Sequence, residues 1–325
     1  MRVPGLKLLL LTALALGAPG IACAKALERS VAAIGATGAL NGLMLQPSGV
    51  RNPPVVLIVP GSGPTDRDGN NQLGANAASY RLLAEALVDQ GVASVRIDKR
   101  GLFTSAAPAL DPDGVTIDDY AHDVEAWAQA LKPVTGAACI WVLGHSEGAL
   151  VAAAAAAERS RDICGLILVG GPGRPLGQLL REQLKANPAN ADIIEDALAI
   201  IGRLEQGQKV DVSGLPERLQ MLFDPVSQGF LINAMTYDPP RLVERYPGPV
   251  LVVQGTTDLQ VSMADAERLA RARPGIKLVK VKGANHVLKD APAERSANLA
   301  TYNDPLKPVA HGVVDAIVDF VKARH

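Results

Sequence analysis

The stretch WVLGHSEGAL, Trp141 to Leu150, joins an apolar run to a segment of helical composition through a serine held between two glycines. Apolar residues without alternation, here Cys139–Leu143, are the pattern of a strand buried on both faces, and the alanine-rich 147–160 segment that follows favours helix. Gly144 and Gly148 permit a turn that a Cβ would obstruct, and such a turn lifts the Ser146 hydroxyl to the edge of a sheet. Strand, turn and helix together read Ser146 as a nucleophile. The plainer reading is a serine that only closes a tight turn.

Working outward, further apolar runs occur at Val55–Val59, Val92–Ile97, Gly165–Val169, Val250–Gln254 and Lys277–Val281. Helical patterns separate them, over Ala75–Gln90, Ile117–Leu131, Ser262–Arg271 and Val309–Ala323. Two short strands are expected around Gly35 to Gly38. Alternating strands and helices predict an α/β fold: a mostly parallel sheet with helices on both faces. Residues 172–248 break the alternation with a Leu-, Ile- and Met-rich helical excursion bounded by Gly and Pro, which predicts a helical cap inserted after the sixth strand. The core then comprises residues 25–171 and 249–325.

A serine hydroxyl is a weak nucleophile unless a base takes its proton, so histidine and acid partners are required. Of five histidines, His145 lies on the elbow and points away, His122 lies within a helical pattern, His311 opens the last helix and His325 ends the chain. That leaves His286, on the loop after Lys277–Val281. The acid should follow a strand between serine and histidine; Asp258, four residues past Gln254, fits, whereas the loop after Gly165–Val169 has no acid. The oxyanion of a tetrahedral intermediate needs backbone N–H donors. Glu147 is expected to supply one, and Ser62 or a neighbour in Gly61–Gly63 the other.

With these residues assembled, the sequence resembles the α/β-hydrolase superfamily, specifically exported bacterial hydrolases of the serine aminopeptidase-like and esterase group. The matching pieces are PGSGPTDRDGN, RIDKRGLFTS, LGHSEGAL, YDPPRLVERYPGPVLVVQGTTDLQVS and KGANHVLK, in the family's order. The resemblance implies the triad Ser146, Asp258 and His286, with the oxyanion donor on the Gly61–Gly63 loop. Many relatives carry His-Gly where this chain has Pro60-Gly61; a backbone donor should survive that change. Asp98 and Arg100 are expected to be a structural charged pair holding the loop near the site; Asp66, Arg67 and Asp68 are read as structural in the same way, with Arg67 also able to reach a substrate carboxylate.

The leading functional reading is carboxylic ester cleavage through an acyl-enzyme, with no cofactor or metal and a small-molecule ester or amide as partner. Apolar residues of the cap, among them Leu176, Leu179, Leu180, Ile193, Ile194, Met221, Phe223, Phe230 and Met235, could form an acyl pocket. An aminopeptidase is the alternative, with Glu182, Asp192, Glu195 or Asp196 receiving a free amine. A binding protein that has lost catalysis is a third reading, disfavoured because no triad member or elbow glycine is missing.

Lys+Arg 32 against Asp+Glu 33 suggests neither a nucleic-acid nor an anionic-membrane partner. Residues 1–24 read as an export signal: Arg2 and Lys7, an apolar run to Leu16, then Ala22-Cys23-Ala24. Cleavage removes two basic residues and leaves 30 basic against 33 acidic, a net charge of −3. A periplasmic or extracellular location is expected, with lipid attachment at Cys23 as the minor alternative. Cys139 and Cys164 open neighbouring strands and are read either as a disulfide or as two buried thiols.

Overall fold

The computed structural model describes residues 26–72, 74–106, 112–158 and 160–324. The expected signal lies outside them. Strands β1 (Ala26–Gly35) and β2 (Gly38–Pro47) form a hairpin, longer than the two short strands expected, and β3 is Val55–Val59. A two-residue ribbon, β4 (Asn70–Asn71) with β5 (Ala75–Asn76), occupies the loop beyond β3, so helix α1 begins only at Ser79 and runs to Asp89. Then come β6 (Ala93–Ile97), α2 (Ile117–Thr135), β7 (Ile140–His145), α3 (Glu147–Glu158) and β8 (Ile163–Val169). The sheet order is β1-β2-β6-β3-β7-β8-β9-β10, where β9 is Val250–Gly255 and β10 is Lys277–Val281. Only the pairs involving β2 are antiparallel.

The strands feed two cores by simple alternation. In β3, Val55, Leu57 and Val59 face one layer, while Val56 and Ile58 face the other. The first layer is built by α2, α3 and α9 (Met263–Arg271), the second by α1 and the last helix, His311–Lys322. Helix α3 is buried along most of its length, and its alanines let it lie close to the sheet. On the opposite face, Gly165 makes room for Trp141, since a Cβ there would sit 2.4 Å from the Trp141 ring.

Following β8, the sixth strand of this sheet, come α4 (Leu176–Ala186), α5 (Ile194–Leu204), α6 (Glu217–Leu222), α7 (Pro225–Met235) and α8 (Pro239–Arg245). The expected cap boundary at residue 248 needs correction. Leu242, Val243 and Tyr246 belong to the main core beside α3, so α8 is a layer helix and the separate apolar core of the excursion ends near Met235. Most apolar residues assigned to an acyl pocket are that excursion's own interior, Phe223 and Met235 included. Cys139 and Cys164 are joined by a disulfide across the starts of β7 and β8, with Cα atoms 5.1 Å apart.

Candidate active site

In the sheet, β3 lies between β6 and β7, so the chain leaves β3 toward one side and β7 toward the other. The crevice at such a switch point is where open α/β sheets bind ligands. Here the loop after β3 carries Gly61–Gly63 and the turn after β7 carries Ser146. Ser146 has φ 56°, a left-handed conformation rare for a residue with a side chain. Its amide donates to Val169 O at 3.0 Å, and its carbonyl accepts from Ala149 N at 2.9 Å, closing the first turn of α3.

The two elbow glycines are required by contact. A Cβ on Gly144 would meet Gly148 O at 2.1 Å; one on Gly148 would meet Val59 O at 2.3 Å and Pro60 O at 2.6 Å. The elbow is thus packed directly against the strand that leads into the proposed oxyanion loop. Gly61 in turn approaches Ser146, since its Cβ would lie 3.2 Å from Ser146 Cβ.

His286 arrives on the loop after β10 and is 6% exposed. Its Nε2 lies 3.1 Å from Ser146 Oγ, and its Nδ1 lies 2.9 Å from Asp258 Oδ2. Asp258 is buried, which pushes its carboxyl up in pKa; His286 and the Val261 and Gln260 amides, which donate at 3.0 and 2.8 Å, outweigh that and hold it below the usual carboxylate range. Gln254 also donates to Oδ2, at 3.2 Å. The carboxylate is therefore fixed as an acceptor, and the histidine with it. The N–H groups of Ser62 and Glu147 have no hydrogen-bond partner among the described residues, and Glu147 opens α3, whose dipole favours negative charge there.

Three consecutive buried charges after β6 go separate ways. Asp98 and Arg100 do not pair with each other as expected. Asp98 takes the Arg67 guanidinium at 3.4 Å and the Thr104 hydroxyl at 2.6 Å, which commits Arg67 to the fold. Arg100 binds Asp123 and Asp119 of α2. Lys99 donates to Gly61 O at 2.8 Å and reaches Glu147 Oε1 at 3.4 Å.

Beneath the elbow, Gly61 N donates to Tyr80 Oη at 3.0 Å, and Tyr80 Oη lies 2.8 Å from His145 Nδ1. His145 Nε2 lies 2.8 Å from the His286 carbonyl. That carbonyl can only accept, so His145 carries its proton on Nε2 and Tyr80 donates to Nδ1. Burial, helped by His286, pushes the His145 pKa down to about 3. It is a neutral strut joining the two loops that flank Ser146. Reasoning from the sequence missed Lys99, Tyr80 and Gln254; for none of them does a local pattern announce the contact.

Ser146 and His286 open onto a cavity of about 300 Å³, with Ser62, Asn71, Gln260 and Tyr302 among its walls. Beyond the Gly63-Pro64 side of the loop lies a second, more apolar cavity of about 240 Å³, walled by Leu102, Val115, Tyr120, Glu147, Val226 and Phe230. Of the cap residues expected to form an acyl pocket, Phe230 alone lines either cavity. No group of three or more His, Cys, Asp or Glu side chains among the described residues could hold a metal ion. No helix among the described residues is long and apolar enough to cross a membrane.

Residues 55–300 match the model of the alpha/beta hydrolase family. This chain belongs to that family. The α/β-hydrolase chain is 26% identical over 255 residues to esterase EstD of Thermotoga maritima, a match covering 77% of this chain and 58% of that protein. The chain therefore spans a little over half the length of this curated relative. Among solved structures, Est1E from Butyrivibrio proteoclasticus superposes with a TM-score of 0.56 at 18% identity, covering 90% of this chain and 99% of that one. The alpha/beta hydrolase GrgF from Penicillium sp. sh18 gives 0.58 at 17% identity, covering 91% and 98%. At such identities these structures establish the α/β-hydrolase fold.

Proposed function

We propose that this α/β-hydrolase is an exported serine hydrolase that cleaves small carboxylic esters through an acyl-enzyme. The observation that carries the reading is the continuous relay from Asp258 through His286 to Ser146, on a strained elbow that opens into a cavity. His286 Nε2 takes the Ser146 proton as Oγ attacks the ester carbonyl, and Asp258 stabilises the imidazolium. The oxyanion receives the Ser62 and Glu147 amides. His286 then protonates the departing alkoxide, and a water activated by the same nitrogen releases the acid. The esterase relative agrees with this chemistry.

Ester rather than amide specificity is favoured by the acids of the cap. Glu182 is paired with Arg174 and Asp192 with Arg218, and neither these nor Glu195 or Asp196 lines the two cavities. Among the described residues, a free amine would find no carboxylate lining either cavity except Glu147, which is engaged by Lys99. Cavities of 300 and 240 Å³ suit short substrates.

The test is turnover of p-nitrophenyl esters from acetate to palmitate beside amino-acid p-nitroanilides, by the mature protein and Ser146→Ala. Ester turnover that is greatest at short chains and falls by about 10⁴-fold or more in the variant supports the reading. Anilide turnover without ester turnover replaces it with an aminopeptidase. Wild-type rates no higher than the variant's on both sets sink it. Amino-terminal sequencing of the exported protein, starting at Lys25 or blocked at Cys23, decides between a cleaved signal and a lipid anchor.

A further inference from the structure

Lys99 is 5% exposed, and a buried ammonium is costly unless its surroundings compensate it. The compensating groups are informative. They are the carbonyl of Gly61, the carboxylate of Glu147 and, 5.3 Å from the ammonium, the ring of Tyr120. The first is the carbonyl of the peptide whose N–H is the proposed Ser62 donor, and the second is the side chain of Glu147, which bears the other.

The Gly61 carbonyl and the Ser62 N–H are opposite edges of one planar trans peptide and point in opposite directions. An ammonium drawing the carbonyl to one side therefore turns the N–H to the other. A hydrogen bond at the oxygen also polarises the peptide and strengthens the donor at its far edge. The adjoining peptide is held as well, because Gly61 N–H donates to Tyr80. At its other partner, Lys99 anchors the Glu147 side chain at the first residue of α3, the second donor.

We propose that Lys99 is a positioning residue that sets the orientation of both oxyanion donors from behind. Its side chain stands in the wall of the second cavity, and it reaches the reacting atoms only through those two peptides. The inference rests on the serine-hydrolase reading above and would fail separately from it. Loss of Lys99 weakens stabilisation of the tetrahedral oxyanion while leaving ground-state binding in place.

The experiment compares wild type, Lys99→Met, and the double variant Lys99→Met/Glu147→Leu on the best short ester, with a trifluoromethyl ketone as tetrahedral analogue. Lys99→Met should lower kcat by about 10- to 100-fold, less than outright removal of one oxyanion donor, which costs about 10²–10³-fold. KM should stay within about threefold, and affinity for the ketone should fall by the same factor as kcat/KM. The double variant carries no orphaned carboxylate, so it keeps the test readable if the single variant fails to fold. Its kcat should stay low. Recovery of wild-type kcat in the double variant would overturn the proposal, since Lys99 would then only neutralise Glu147. Wild-type kcat in Lys99→Met, or lost turnover with undiminished ketone affinity, would also overturn it. An inert wild type would count against the ester-hydrolase reading instead.

Discussion

Replacing Gly148 by alanine tests how tightly the elbow and the proposed oxyanion loop are locked together. The added methyl would lie 2.3 Å from Val59 O and 2.6 Å from Pro60 O, both backbone atoms that no rotamer change can move. Reaching ordinary contact requires roughly 1 Å of separation between the start of α3 and the end of β3. Neither side has room, since α3 is packed into the main core and Val59 pairs with Gly144 in the sheet. Overpacking of this kind costs about 1–3 kcal/mol. The displacement falls on the peptides leading to Ser62, where a 1 Å error costs about 10²-fold in rate. Gly148→Ala should therefore unfold at a lower temperature and lose about 10²-fold in kcat on the preferred ester. Gly202→Ala is the control: it lies inside α5, and the nearest atom to its Cβ is an Arg181 side-chain nitrogen at 3.9 Å. That change should keep full activity and add up to about 1 kcal/mol of stability. Thermal melts and steady-state kinetics on both variants suffice. Wild-type kcat in Gly148→Ala would refute the claim that the elbow buttresses the oxyanion loop.

Asp258→Asn should lower kcat by about 10³–10⁴-fold with a folded protein, because an amide cannot stabilise the imidazolium; activity within tenfold of wild type would remove Asp258 from the relay. His145 has a folded pKa of about 3 against an ordinary value of 6.5, so below 6.5 the unfolded chain binds a proton that the native state refuses. Stability should thus be lost as pH falls from about 6.5 toward 3, and denaturant melts of His145→Gln should show a shallower decline over that window than wild type. The Cys139–Cys164 bridge closes a loop of 25 residues' separation, worth about 3 kcal/mol by chain entropy, so Cys139→Ser/Cys164→Ser should melt several degrees lower. An unchanged midpoint would mean that the bridge constrains little in the unfolded chain.

What could be read along the chain was whatever local pattern determines. Buried strands carry their burial in consecutive apolar residues, and the elbow carries its strain in Gly144 and Gly148, so the sheet and Ser146 were legible. His286 and Asp258 followed by elimination, since a relay at the strand ends leaves few places for them. The cap's far boundary was not legible: α8 has the same apolar period whether it packs on the excursion or on the sheet, and only Leu242, Val243 and Tyr246 in contact decide it. The same limit hid the two-residue ribbon at Asn70–Asn76, which is defined by pairing rather than by composition.

The buttress of the site was hidden for a deeper reason. Asp98, Lys99 and Arg100 are adjacent in sequence and alike in burial, yet each is compensated by a different part of the fold: the Arg67 loop, the Gly61 peptide with Glu147, and the acids of α2. Charge alone pairs Asp98 with Arg100, which is what a reading of the sequence expects. Burial forbids that economy, because each charge needs a nearby partner and each side chain leaves the backbone in its own direction. The loop after β3 and the helices α2 and α3 are thereby tied to one strand end. If Lys99 were merely a structural cation, its partners need not have been the carbonyl edge of the Gly61–Ser62 peptide and the side chain of Glu147, the two places that bear the proposed oxyanion donors. That they are is the reason to separate, by kcat and ketone affinity, what Lys99 does for folding from what it does for the transition state.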